Sequence, residues 1–235
     1  MIDMTDEIGS APRTTVVLDR DGTLLDFYEM FHRFVLDLHR QEGVTPPPRE
    51  EILGFGYWSA ITSGALHIGS VRVRDRVDEV AHRYMAHGTL YPGVVPMLSA
   101  LSGAGVRLAL VSSWVGTEST VALLERYAVR ECFGPVLTRD DLAARDAQVP
   151  DADCKTTLAR RALDGLGHAP DHRLYVVGDT PSDIALGRRL GAVVVGVRTG
   201  NGGGLPPEGT PEGPDVVLHS AADLGELILG ADRAA

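Results

Sequence analysis

Lysine is almost missing from this chain. Of 22 basic side chains only Lys155 is a lysine, so arginine has taken nearly every other cationic position. Cysteine is just as sparse. Cys132 and Cys154 have neither metal-ligand spacing nor the number needed for a disulfide framework, so free thiols in a reducing compartment are expected. No apolar run approaches the ~18 residues that span a bilayer. Residues 1–10 are acidic and carry no apolar signal core, so a cytoplasmic protein is expected. Positive charge is in deficit overall. A formal net charge of -10 excludes a broad electrostatic footprint for nucleic acid or an anionic membrane, and neither is expected as a partner. A small anionic substrate would need a local cluster of cations or donors.

At 235 residues and 44% hydrophobic content the chain can bury a substantial core as one large domain or two smaller ones. Residues 15–18 have strand-forming character and run directly into Asp19-Arg20-Asp21-Gly22-Thr23. Two carboxylates this close repel each other and are costly to desolvate unless a cation or donors sit between them. Gly22 allows a sharp turn. An Asp-Gly turn after a strand is common by itself, so the remainder of the chain has to decide.

The tail at 1–13 is expected to be mobile. Residues 26–43 form a helix with Phe27, Phe31, Phe34, Val35 and Leu38 on one face, ended by Gly43 and the prolines at 46–48. Residues 53–58 read as an aromatic, glycine-bearing turn, and 71–87 as a second strong helix. From Tyr91-Pro92-Gly93 onward strands and helices alternate. Strands fall at 106–111, 136–137, 173–177, 192–197 and 216–218, and helices at 94–102, 117–127, 156–166, 181–190 and 221–229. Alternation of this kind indicates βαβ units and a parallel sheet. The fold class is therefore α/β, a Rossmann-like parallel core at 1–25 and 92–235 interrupted by a small helical domain at 26–91. Residues 198–214, rich in Gly and Pro, are read as a plain loop.

Polar groups follow three of the strands or stand before a helix. Ser112 follows 106–111, Lys155 stands just before the 156–166 helix, and Gly178-Asp179-Thr180-Pro181-Ser182-Asp183 follows 173–177. In a parallel sheet these strand ends converge on one edge. The expected pocket holds Asp19, Asp21, Asp179 and Asp183 beside one hydroxyl and one ammonium. Acidic oxygen ligation suits Mg²⁺ rather than zinc, and the hydroxyl and lysine suit a phosphate. A carboxylate nucleophile with a second acid two residues on suits covalent phosphoryl transfer. The lone Lys155 points to a need for a compact point charge. Thr180, Pro181 and Asp183 also read as a capping-box start, so Asp183 supports the site while it caps the helix.

These four motifs in this order resemble the haloacid dehalogenase superfamily over nearly the whole chain. The resemblance implies Asp19 as nucleophile forming an aspartyl-phosphate and Asp21 as general acid and base whose carbonyl also ligates Mg²⁺. It implies Asp19 and Asp179 as side-chain metal ligands with Asp183 in support, and Gly22, Ser112, Ser113 and Lys155 around the phosphoryl group. The 26–91 insertion is similar to the family's cap. Asp21 argues against halide displacement, which needs no proton donor, and the absence of lysine from the insertion argues against phosphonate cleavage. Arg20 departs from the apolar residue more usual between the two acids. What remains is similar to capped phosphatases of the phosphoglycolate type, acting on a small phosphorylated metabolite as monomer or homodimer. The alternatives are a phosphomutase of the β-phosphoglucomutase type and a non-catalytic binding module. Within the insertion Arg49, Gly54, Tyr57 and Trp58 are candidates for substrate choice, with Trp114 beside them.

Overall fold

The structure is a computed structural model that describes residues 14–143 and 149–232. The expected tail at 1–13 lies outside the described residues. The chain opens with β1 (Thr14–Leu18), which is wholly buried. The insertion follows as β2 (Leu25–Asp26), α1 (Tyr28–Glu42), α2 (Arg49–Ile52), α3 (Phe55–Thr62), β3 (His67–Ile68), β4 (Val71–Arg72), α4 (Glu79–Arg83) and β5 (Thr89–Leu90). The alternating part then runs α5 (Val94–Gly103), β6 (Arg107–Val111), α6 (Thr117–Arg126), β7 (Phe133–Leu137), α7 (Asp151–Gly165), β8 (Arg173–Gly178), α8 (Pro181–Leu190), β9 (Val193–Val197), β10 (Val216–Leu218) and α9 (Leu224–Asp232).

Six strands form one sheet in the order β10-β9-β8-β1-β6-β7, with every pair parallel. Successive residues of a strand feed opposite faces, because side chains alternate along the pleat. Val16 and Leu18 join the core built with α5, α6 and α9, whereas Val17 joins the core built with α7 and α8. Covering on both faces explains why these strands read as continuous apolar runs. The insertion adds Phe31, Phe34, Ile61, Val73 and Val80 to the first of these cores, continuous with the sheet residues Leu110 and Val177.

The insertion departs from the sequence reading in two places. Residues 53–58 are not a turn. Gly54 in extended conformation precedes α3, and Gly56 lies inside that helix, where open space surrounds it. A glycine there weakens a helix by about 1 kcal/mol, and burial of Ile61 on the same helix outweighs it. Residues 71–87 are not one helix either. β3 and β4 form a hairpin across Gly69 at φ 56°, a 3₁₀ turn spans Val73–Asp75, α4 covers only five residues, and a second 3₁₀ turn spans Met85–His87. The valines at 71, 73, 77 and 80 are β-branched and only weakly favour a helix. Val73 and Val80 are nevertheless fully buried, so the burial pattern was correct while the backbone was not.

Candidate active site

β1 and its two neighbours, β8 and β6, bring Asp19, Asp179 and Ser112 to the carboxyl edge of the sheet. Connections leave β1 in both directions, towards β6 and β7 on one side and β8 to β10 on the other, so this edge is the switch point where open α/β sheets bind ligands. Asp19 continues the ladder with its N–H donating to Val177 O at 2.9 Å. Lys155 reaches the same point from α7. That helix begins at Asp151, earlier than expected, with Asp151 and Asp153 in its first turn, where acids favour the dipole. Lys155 therefore sits inside the helix rather than before it, and is 3% exposed.

Lys155 Nζ lies 2.8 Å from Asp19 Oδ1 and 2.6 Å from Asp183 Oδ1. The other Asp183 oxygen closes the start of α8, accepting from Thr180 N at 3.1 Å and Thr180 Oγ1 at 2.6 Å. One carboxylate thus caps a helix and holds the lysine. Carboxylate oxygens of Asp19, Asp179 and Asp183 lie within 4.8 Å of one another, all buried. Burial raises the Asp19 carboxyl well above its ordinary range, with Lys155 pulling the other way. Burial likewise pushes Asp179 up to about 7, partly offset by the Asn201 N–H. Burial works against the charge on Lys155, but Asp183 and Asp19 more than offset it and the ammonium is held charged. Three buried carboxylates against one ammonium leave a deficit of positive charge. An all-oxygen, carboxylate-rich donor set of this kind fits a hard divalent cation such as Mg²⁺.

Asp21 lies outside that cluster. Its carboxylate accepts from Arg20 Nε at 3.0 Å, lies 2.8 Å from Arg20 Nη2, and receives Ser112 Oγ at 3.2 Å. Arg20 is 1% exposed and also donates through Nη1 to Val115 O and Thr120 Oγ1. Ser112 in turn accepts from Trp114 N at 3.1 Å. The residue between the two acids is thus a buried clamp on the second one.

Gly22 sits at φ 80°, and a Cβ there would fall 2.2 Å from Asp179 Oδ2. The 198–214 segment is more than a loop. Asn201 N donates to Asp179 Oδ2 at 2.7 Å, and a Cβ on Gly200 would fall 2.4 Å from both that oxygen and Gly22 Cα. Sequence reasoning missed Gly200 and Asn201 because nothing local marks a backbone N–H as a support. The one available signal was a glycine-rich stretch following a strand of the sheet.

A cavity of about 870 Å³ opens above this edge, lined by Asp19, Asp21, Ser112, Ser113, Lys155, Gly54, Trp58 and Trp114 among others. Arg49 and Tyr57 are not brought to it. Arg49 bonds to Glu29 at 2.9 Å in a separate surface cleft. Tyr57 packs edge-on against Phe31, and burial pushes its hydroxyl up to about 12.

Known proteins resemble this chain in sequence and in fold. The sequence profile of the haloacid dehalogenase-like hydrolases matches residues 14–191. The chain is similar to a phosphoglycolate phosphatase of Caulobacter vibrioides, 29% identical over 221 residues, covering 89% of this chain and 88% of that protein. It is also similar to a phosphoglycolate phosphatase of Rhodospirillum rubrum, 27% identical over 195 residues and 77% of each chain. Among solved structures, a predicted phosphoglycolate phosphatase from Haemophilus somnus 129pt shares the fold. Its TM-score is 0.69 at 18% identity, over 94% of this chain and 100% of that one. With the profile spanning most of the chain and a doubly covered parallel sheet carrying the acids at its switch point, this protein belongs to the haloacid dehalogenase-like hydrolase family.

Proposed function

We propose that this hydrolase is a phosphatase that cleaves a small phosphomonoester through an aspartyl-phosphate on Asp19. The observation that carries the reading is the Asp19 carboxylate held 2.8 Å from a buried ammonium beside Asp179 and Asp183. The relatives named phosphoglycolate phosphatase support it. Asp19 attacks phosphorus and the bond from phosphorus to the ester oxygen breaks. Asp21, on the cavity wall and steered by Arg20, gives its proton to the departing alkoxide. It then takes a proton from the water that hydrolyses the acyl phosphate. Lys155 and Ser112 hold the phosphoryl oxygens in a site largely shielded from water. Asp19 and Asp179 would hold a Mg²⁺ ion, which would supply charge neutralisation for the phosphoryl group. The 26–91 insertion acts as a cap, with Trp58 and Trp114 meeting across its junction with the core.

The test is phosphate release from a panel of phosphomonoesters with Mg²⁺, repeated with Asp19→Asn. Release by the parent protein and its loss in the variant by at least about 10³-fold is expected. Comparable activity in Asp19→Asn would overturn the nucleophile assignment.

A further inference from the structure

The cavity is far larger than a phosphoryl group requires. At about 870 Å³ it lies in the range of pockets that enclose drug-sized ligands. Beside polar groups such as Thr62, Ser182 and Asn201, the lining carries an aromatic patch: Phe27, Tyr28, Phe31 and Trp58 from the insertion and Trp114 from the loop after β6. Trp58 and Trp114 meet at 6.1 Å and 70°, and Phe31 meets Trp58 at 5.5 Å and 78°, so these rings are not stacked face to face. Both tryptophans are only half-buried. Trp114 has its Nε1–H donated to Asp78 Oδ1 at 2.9 Å, so it offers the cavity ring carbon rather than a donor.

A two-carbon acid such as glycolate would leave this wall unused and would need a dedicated cation for its carboxylate. Besides Lys155 the wall carries two cations, Arg139 and Arg74. Arg139 is engaged by Ser113 O, Val149 O and Asp151, and Arg74 is exposed to solvent. A ring with an apolar face matches what the wall offers, because offset and edge-to-face contacts reward aromatic partners beyond the area they bury.

Resting on the phosphatase reading, we propose that the substrate is a phosphomonoester whose alcohol carries a planar aromatic ring. The ring lies against Trp58 and Trp114 while the phosphate meets Asp19. Hydrolysis adds one water across the ester bond and releases the aromatic alcohol and inorganic phosphate.

The test compares 2-phenylethyl phosphate, n-propyl phosphate and phosphoglycolate with Mg²⁺ on the parent protein, Trp58→Ala and Trp58→Phe. The first two esters share an unactivated primary alcohol, so leaving-group ability does not separate them. In the parent protein kcat/KM for the phenylethyl ester should exceed the propyl ester about tenfold, chiefly through KM. Trp58→Ala should collapse that ratio towards one, and Trp58→Phe should retain most of it. Phosphate release with no preference for the ring, or with phosphoglycolate preferred, overturns the substrate class and leaves the phosphatase reading standing. No release from any of the three esters overturns the substrate class, and the phosphatase reading falls with it only if the wider panel of phosphomonoesters also yields no phosphate.

Discussion

At the scale of single residues, the site depends on charges that could not be buried separately. Lys155 is surrounded by Asp19 and Asp183, and removing it would leave two buried carboxylates facing each other. Lys155→Met should lower stability by about 3–5 kcal/mol, read from the urea midpoint, and reduce phosphate release below a thousandth. Lys155→Arg should not rescue turnover, because a planar fork cannot occupy the place of a point charge between two oxygens. Arg20 belongs to the same class. Arg20→Met strips the carboxylate of Asp21 of its cation and leaves Val115 O and Thr120 Oγ1 without that donor. The expected loss is roughly 3 kcal/mol of stability, read by thermal or chemical denaturation. Asp19, Asp21, Asp179 and Lys155 were all legible in the sequence, since acids at strand ends and a solitary lysine stand out against their surroundings. The clamp made by Arg20 was not, because its partners Val115 and Thr120 lie about a hundred residues away.

At the scale of elements, α8 and the loop after β9 show one geometry serving two ends. Pro181 and the Thr180–Asp183 capping box were readable from residue order, and α8 runs over the expected range, Pro181–Leu190. The same Asp183 holds Lys155, so helix start and charge placement are inseparable. The loop is the reverse case. Gly200 sits at φ 58° against Asp179 and Gly22, whereas Gly203 has open space around its Cβ position. Gly200→Ala should therefore destabilise the fold by at least about 1 kcal/mol and weaken the dependence of activity on Mg²⁺. Gly203→Ala should change stability by no more than an ordinary surface substitution does, about 0.5 kcal/mol. Melting curves for the two variants, with and without Mg²⁺, check both statements. Their difference comes from tertiary contact, and two neighbouring glycines carry no sequence mark that would separate them.

At the scale of the whole molecule, the acidic cluster links stability to pH and metal. Burial pushes the Asp179 carboxyl up to about 7 from an ordinary value of 3.8, and Asp19 is raised in the same direction. A raised carboxyl binds its proton more tightly when folded, so its contribution is full below the ordinary carboxylate range and is lost as pH rises towards 7. The raised Lys155 adds nothing in this window, since its charge is lost only far above it. With chelator present, stability should fall between about pH 4 and pH 7 by an amount on the order of a few kcal/mol, read as a falling melting temperature. Mg²⁺ should recover more at the upper end, and Asp179→Asn should flatten the dependence. A chelated protein equally stable across that range would contradict the account. The sequence by itself determined the alternation of strands and helices, the parallel sheet, and the four polar groups at its edge, because these follow from local periodicity and residue chemistry. Only the tertiary structure decided the rest: the broken path of 71–87, the place of Lys155 inside α7, the clamp of Arg20 on Asp21, and the support of Asp179 by Asn201. Arg20 is fixed on Asp21 by Val115 and Thr120, and Asp179 is supported from Asn201, so both depend on segments distant in the chain, and local pattern carries no information about which distant surface a residue will meet.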